Sequence, residues 1–134
     1  MALTAINPEE LGAPRGYSNG MIGPAGGRIL FVAGQIGWDG ERQVVPGGFG
    51  PQFRQALDNV LVVVKGAGGE ASDIARLTMY VTSKQEYVDA LEDVGQAYRA
   101  LMGRHYPAMA LLEVAGLLEP GAVVEIEATA VLAP

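Results

Sequence analysis

Glu125 and Glu127 are the side chains of this sequence whose type and spacing point most directly to chemistry. They stand two apart in Val123-Val124-Glu125-Ile126-Glu127-Ala128-Thr129-Ala130-Val131-Leu132. Alternation with period two puts Val124, Ile126, Ala128, Ala130 and Leu132 on one face of a strand. Glu125, Glu127, Thr129 and Val131 take the other. Two carboxylates on one side of a half-buried strand suit the handling of a proton or a water molecule. On pattern alone the plainer reading is a solvated or inter-subunit surface, with Glu127 pairing with a cation or a backbone amide. His105, the one histidine, sits between a helix end and a strand, a place for a cap or a solvent contact. The absence of cysteine excludes disulfides, thiolate nucleophiles and Cys-ligated metals. No second histidine and no acidic cluster at ligand spacing accompany it, so neither a metal nor a cofactor is expected. Gly23-Pro24-Ala25-Gly26-Gly27 lacks the strand–loop–helix context of a phosphate site and reads as a turn.

Those residues need a scaffold. Pro107 opens an unbroken apolar run, Ala108-Met109-Ala110-Leu111-Leu112, which reads as a strand buried on both faces. Arg28 to Ile36, carrying Ile29-Leu30-Phe31-Val32-Ala33, reads the same way. Tyr17 to Ile22 is expected to be a short strand after an irregular lead-in over 1–16. Ile74 to Thr82 alternates, with Leu77, Met79 and Val81 on one face and Arg76, Thr78, Tyr80 and Thr82 on the other. Behind Gly50 and Pro51, apolar residues recur at helical spacing from Phe53 to Val64, and Gly66, Gly68 and Gly69 stop the helix. Ser83 and Glu86 make a capping box for a second helix, striped by Tyr87, Leu91, Val94, Tyr98 and Leu101 and ending near Gly103. Trp38 to Gly48 is expected to be a loop and Glu119-Pro120-Gly121 a turn. The order is β-β-α-β-α-β-β, an α+β layer with two helices on one face of a mixed sheet. Two helices cover one face, yet two strands are apolar on both. A second copy of the chain is the simplest cover, so a homo-oligomer is expected.

At 134 residues the chain is read as one domain, 1–134. An apolar fraction of 49% and a mean hydropathy of +0.21 fit apolar surface shared between subunits. A net charge of −6 and a pI near 4.6, without a basic stripe, argue against a nucleic-acid partner. The N-terminus lacks a signal-peptide pattern and no apolar window reaches membrane-spanning length. A cytoplasmic protein without a membrane partner is expected.

Several short segments, in this element order, resemble the Rid family. They are Gly34-Gln35-Ile36, Ala56-Leu57-Asp58-Asn59-Val60, Pro107-Ala108, Glu113-Val114 and Glu125-Ile126-Glu127-Ala128. The family comprises the reactive intermediate deaminases, also called YjgF-type or L-PSP proteins, and the likeness runs from Tyr17 to Leu132. The resemblance implies a chorismate-mutase-like fold and a homotrimer whose three sheets close an inner barrel. Small-molecule pockets would lie in the clefts between subunits. The best-known family activity is hydrolysis of 2-imino and 2-enamino acids to 2-keto acids and ammonia. In the family an arginine after Pro-Ala grips the substrate carboxylate, and a glutamate on the last strand handles the attacking water.

Residue by residue, the resemblance makes Tyr17 the pocket tyrosine and Glu125 the water-handling glutamate, the two catalytic candidates. Met109 stands where the family has its arginine, Leu111 where cysteine is frequent, and Ala33 where a serine precedes Gly-Gln. These three are the candidate substrate-binding wall, and Gly95 aligns with a helical asparagine. Losing a bidentate charge-assisted pair costs roughly a hundredfold in carboxylate recognition. The resemblance therefore implies a divergent member, acting on an imine or enamine unlike the usual 2-imino acids. Arg15 and Arg104 are candidates for a relocated carboxylate grip. The alternatives are a non-catalytic small-molecule-binding trimer and, disfavoured by the acidic charge, an endoribonuclease or translation inhibitor.

Overall fold

The structure, a computed structural model, describes residues 3–134, so Met1 and Ala2 of the lead-in lie outside the described residues. The chain runs β1 (Thr4–Ile6), β2 (Gly20–Ile22), β3 (Arg28–Ile36), α1 (Phe49–Gly66), β4 (Ile74–Val81), α2 (Lys84–Asp89), α3 (Leu91–Met102), β5 (Ala108–Glu113) and β6 (Val124–Leu132). Short 3₁₀ turns occupy Glu9–Leu11 and Ala71–Asp73. β1 and β2 form a small antiparallel ribbon, and the other four strands form one mixed sheet in the order β3-β6-β4-β5.

Strand order follows from connection type. β4 and β5 are joined through α2 and α3, and a helical crossover returns the chain parallel to the strand it left. β6 follows β5 through a turn but does not pair with it. It inserts between β3 and β4, antiparallel to both. There its apolar face meets the helices. Val124, Ile126 and Ala130 have no solvent exposure, and they pack with Phe53, Leu57, Val60, Leu61 and Val64 of α1. Each fully buried side chain of this size stabilises the fold by about 1.5–3 kcal/mol before entropy is counted. The alternation expected in β4 and β6 is present at every position of both strands except the start of β4, where a register shift lies between Ile74 and Arg76.

Four expectations are corrected. The 1–16 lead-in is not irregular throughout, because Thr4–Ile6 pairs with Gly20–Ile22. A three-residue strand with no core contact leaves no hydrophobic period to read. The first helix starts at Phe49 with Gly48 as its cap residue, not Gly50, and Pro51 falls inside the first turn. The second helix is two, broken at Ala90; Ser83 Oγ accepts the Glu86 N–H at 3.2 Å and caps the first of them. Neither the run 108–112 nor the run 29–33 is buried on both faces within one chain: β3 is the opposite edge strand, with Ile29 and Phe31 exposed. β5 is an edge strand whose Ala110 and Leu112 are exposed, because among the described residues no element covers that side.

Gln52 ties α1 to the turn that precedes β6. It is buried, its Nε2–H donates to Gly121 O at 2.9 Å, and its Oε1 accepts the Val123 N–H at 2.9 Å. Replacing Gln52→Leu leaves that donor and acceptor without partners. The expected cost is about 1–3 kcal/mol, read as a lower urea midpoint at unchanged slope.

Candidate functional site

Tyr17 is held in place by its neighbour. Ser18 is buried, its N–H donates to Pro107 O at 3.0 Å, and its hydroxyl donates to Tyr106 O at 2.6 Å. It also bridges Ala108 in parallel register, so the segment before β2 rides on the start of β5. This clamp sets the half-exposed Tyr17 in a cleft of about 200 Å³ with Arg76, Thr78, Ala108 and Met109.

Met109 and Leu111 face the helices. In the parallel register Met109 lies opposite Leu77 and Leu111 opposite Met79, both of which are buried in the helix-side core. The two side chains line a second cavity, of about 270 Å³, between β5 and α3. Tyr87, Tyr98, Gly95 and Arg99 supply much of its opposite wall.

Glu125 lies on the other side of the sheet. It pairs with Ile36 and Tyr80, and its neighbours Val124 and Ile126 carry the buried face. Beside it β3 bulges by one residue between Val32 and Gln35, which places Ala33 and Gly34 out of the regular ladder. A Cβ on Gly34 would stand 2.6 Å from Glu125 Oε2, so a side chain at 34 would push the carboxylate away from the β3 backbone it now lies against. Two residues on, Glu127 Oε1 accepts the Tyr80 hydroxyl at 2.7 Å. That hydrogen bond is the main reason the Tyr80 phenol is held above its ordinary pKa, with desolvation and the charges of Glu127 and Glu125 adding to it.

The sequence-derived candidates thus fall into two groups. Tyr17, Met109 and Leu111 gather along β5, while Ala33 and Glu125 gather along β3 and β6. β3 and β5 are opposite edges of the sheet, three strand spacings or about 14 Å apart, and Met109 and Glu125 point to opposite faces. One chain does not bring the two groups together. Arg104 lines a separate groove with Tyr17, Asn7 and His105, and Arg15 is exposed. His105 is a structural tie. Its Nε2 lies 2.7 Å from Ile74 O and must donate, because a carbonyl only accepts, while its own carbonyl accepts the Tyr98 hydroxyl. Sequence reasoning missed Ser18, the Tyr80–Glu127 pair and Arg99. For Arg99 the available signal was its i, i+4 spacing from Gly95 on the helix.

The architecture is that of a small α+β layer with helices on one side of a mixed sheet, with a polar cleft beside Tyr17 and a more apolar cavity under α3. Residues 8–132 match the family described as Endoribonuclease L-PSP. The bovine 2-iminobutanoate/2-iminopropanoate deaminase is 32% identical over 108 residues, covering 80% of this chain and 75% of the relative. The enzyme of that name from Escherichia coli K12 is 33% identical, covering 78% and 80%. Among solved structures, the Rid-family protein YyfB from Yersinia pestis superposes with a TM-score of 0.84 at 32% identity, covering 98% of this chain and all of that one. E. coli TdcF with bound serine gives a TM-score of 0.67 at 28% identity, covering 91% and 92%. The chain belongs to the Rid family, the L-PSP or YjgF-type proteins.

The Tyr80–Glu127 bond has a pH signature. The folded pKa of Tyr80 lies above its unfolded value near 10, so the stabilisation is complete below about pH 10 and is lost as pH rises through the folded value. Tyrosine ring ¹³Cζ NMR titration is expected to show Tyr80 ionising late in the wild type and at a lower pH in Glu127→Gln.

Proposed function

We propose that this Rid-family protein hydrolyses a small imine or enamine acid in clefts built between copies of the chain, in a homotrimer whose sheets face inward. The observation that carries the reading is the division of the candidates between the two edges and two faces of one sheet. A neighbouring copy whose β5 edge packs across the open face of β3 and β6 brings Tyr17, Met109 and Leu111 of one chain toward Ala33 and Glu125 of the other. The same contact covers apolar surface that one chain leaves open, including Phe31 at 77%, Ile29 at 62% and Leu112 at 45% exposure.

In this reading Glu125 takes a proton from water as its oxygen bonds to the imine carbon. Glu125 passes that proton to the nitrogen, giving a carbinolamine. The carbinolamine hydroxyl then gives up its proton, relayed through Glu125 to the amine, as the C–N bond breaks and the C=O bond forms. Ammonia and a keto acid leave, an enamine having first tautomerised to the imine. Tyr17 donates a hydrogen bond that orients the substrate. Names among the relatives, 2-iminobutanoate/2-iminopropanoate deaminase, support the reaction type. A second reading, a binder without turnover, is favoured by Met109, an apolar side chain at the position where the family resemblance places the carboxylate-gripping arginine. The endoribonuclease description of the family finds no support in a chain of net charge −6.

Ammonia release from freshly generated 2-aminoacrylate and from larger imino acids tests the reading. Glu125→Ala is expected to lower kcat by roughly 10²–10⁴. Tyr17→Ala and Glu125→Ala, each impaired alone, are expected to regain activity when refolded together, because one mixed cleft then carries both native residues. Restoration tests the shared cleft directly; failure to restore sinks it. A wild type inert on the whole panel that still binds the corresponding keto acids leaves the binder reading.

A further inference from the structure

The cavity between β5 and α3 holds a cation that the apolar strand positions do not supply. Its floor is apolar, formed by Phe53, Met79, Val94, Met109 and Leu111, with the half-buried Tyr87 beside them. Arg99 lines the same cavity from α3, one helical turn beyond Gly95. The two residues are fitted to each other. A Cβ on Gly95 would stand 3.2 Å from Arg99 Nη1 and 3.9 Å from its Cζ. The guanidinium therefore lies back over the glycine, in space that a side chain at 95 would crowd. Arg28 donates its Nε–H to Ala133 O at 2.9 Å, whereas among the described residues no comparable hydrogen bond engages the Arg99 guanidinium.

Accepting the reading above that this region is a ligand pocket, we propose that Arg99 is its anion-binding residue. It grips the carboxylate of a ligand whose apolar or aromatic body fills the space beside Met109 and Leu111. A planar guanidinium presents paired donors that match a carboxylate, and one at the rim leaves the head group partly wet while the tail is buried. Glycine at 95 leaves room for this arrangement, and the apolar floor favours a carboxylate with an apolar body. Arg99 is in this account a specificity residue: it selects acids over neutral analogues and takes no proton in the reaction.

The test compares 3-phenylpropanoate with 3-phenylpropanamide, matched in shape and differing in charge, by calorimetry on the intact oligomer. Wild type is expected to prefer the acid by roughly tenfold at low salt, with the preference shrinking as ionic strength rises. Arg99→Ala is expected to abolish the preference by lowering the acid affinity far more than the amide affinity, and Arg99→Lys to retain part of it. Gly95→Asn removes a helix-weakening glycine, so it folds, yet it crowds the guanidinium and is expected to reduce acid binding as well. No acid preference in wild type, or one that survives Arg99→Ala, overturns the assignment. The two readings fail separately. Acid binding through Arg99 with no ammonia release from any imine sinks the deaminase and keeps this pocket. Turnover whose KM for carboxylate substrates is indifferent to Arg99→Ala keeps the deaminase and sinks this pocket.

Discussion

Insertion of β6 between β3 and β4 is the constraint on which the rest of the molecule depends. The strand alternates residue by residue, and its two pairing partners lock the register on both sides. A one-residue slip would exchange Ile126 for Glu125 against α1 and drive a carboxylate into the core. The cost of burying that charge far exceeds any gain from altered pairing. Burial of one face thus fixes where the other face points, and Glu125 and Glu127 inherit their direction from Val124, Ile126 and Ala128.

From that constraint come both the exposed apolar surface and the division of the candidate site. The helices cover one side of the sheet, and among the described residues no element covers the other. Phe31 and Ile29 are therefore exposed beside the two carboxylates and Tyr80. The crossover through α2 and α3 sends β5 to the far edge, with Met109 and Leu111 turned toward the helices. Local devices then refine each half. The β3 bulge and Gly34 admit the Glu125 carboxylate to the backbone, and the Ser18 hydrogen bonds hold Tyr17 over the start of β5. Neither device stabilises the fold greatly; both set where a polar group stands.

The β5 cavity is mixed in character. Its strand side carries Met109 and Leu111, which offer contact and no charge, while a cation, Arg99, stands on the helix side. An exposed guanidinium at a helix rim meets an anion in partly wet surroundings, so the proposed grip on a carboxylate is sensitive to salt. Affinity in such a pocket is divided between the charged end and the apolar end.

Much of this was legible in the sequence. Period-two alternation identified β4 and β6, helical spacing identified α1, and the short motifs from Gly34 to Glu127 identified the family. These signals are local and repeat at the period of the element that makes them. β1 left none, since its three exposed residues bury nothing, whereas β2 falls inside the strand read over Tyr17 to Ile22. The break at Ala90 was hidden because both helices share one apolar stripe. What only the tertiary structure decided was adjacency: that β6 sits inside the sheet and β5 at its edge, that Ser18 reaches Pro107 and Tyr106, and that Arg99 folds over Gly95. Each of these depends on which strand pairs with which across long stretches of chain. A sequence determines the face a side chain takes on its own element, and the packing of elements determines what that face meets.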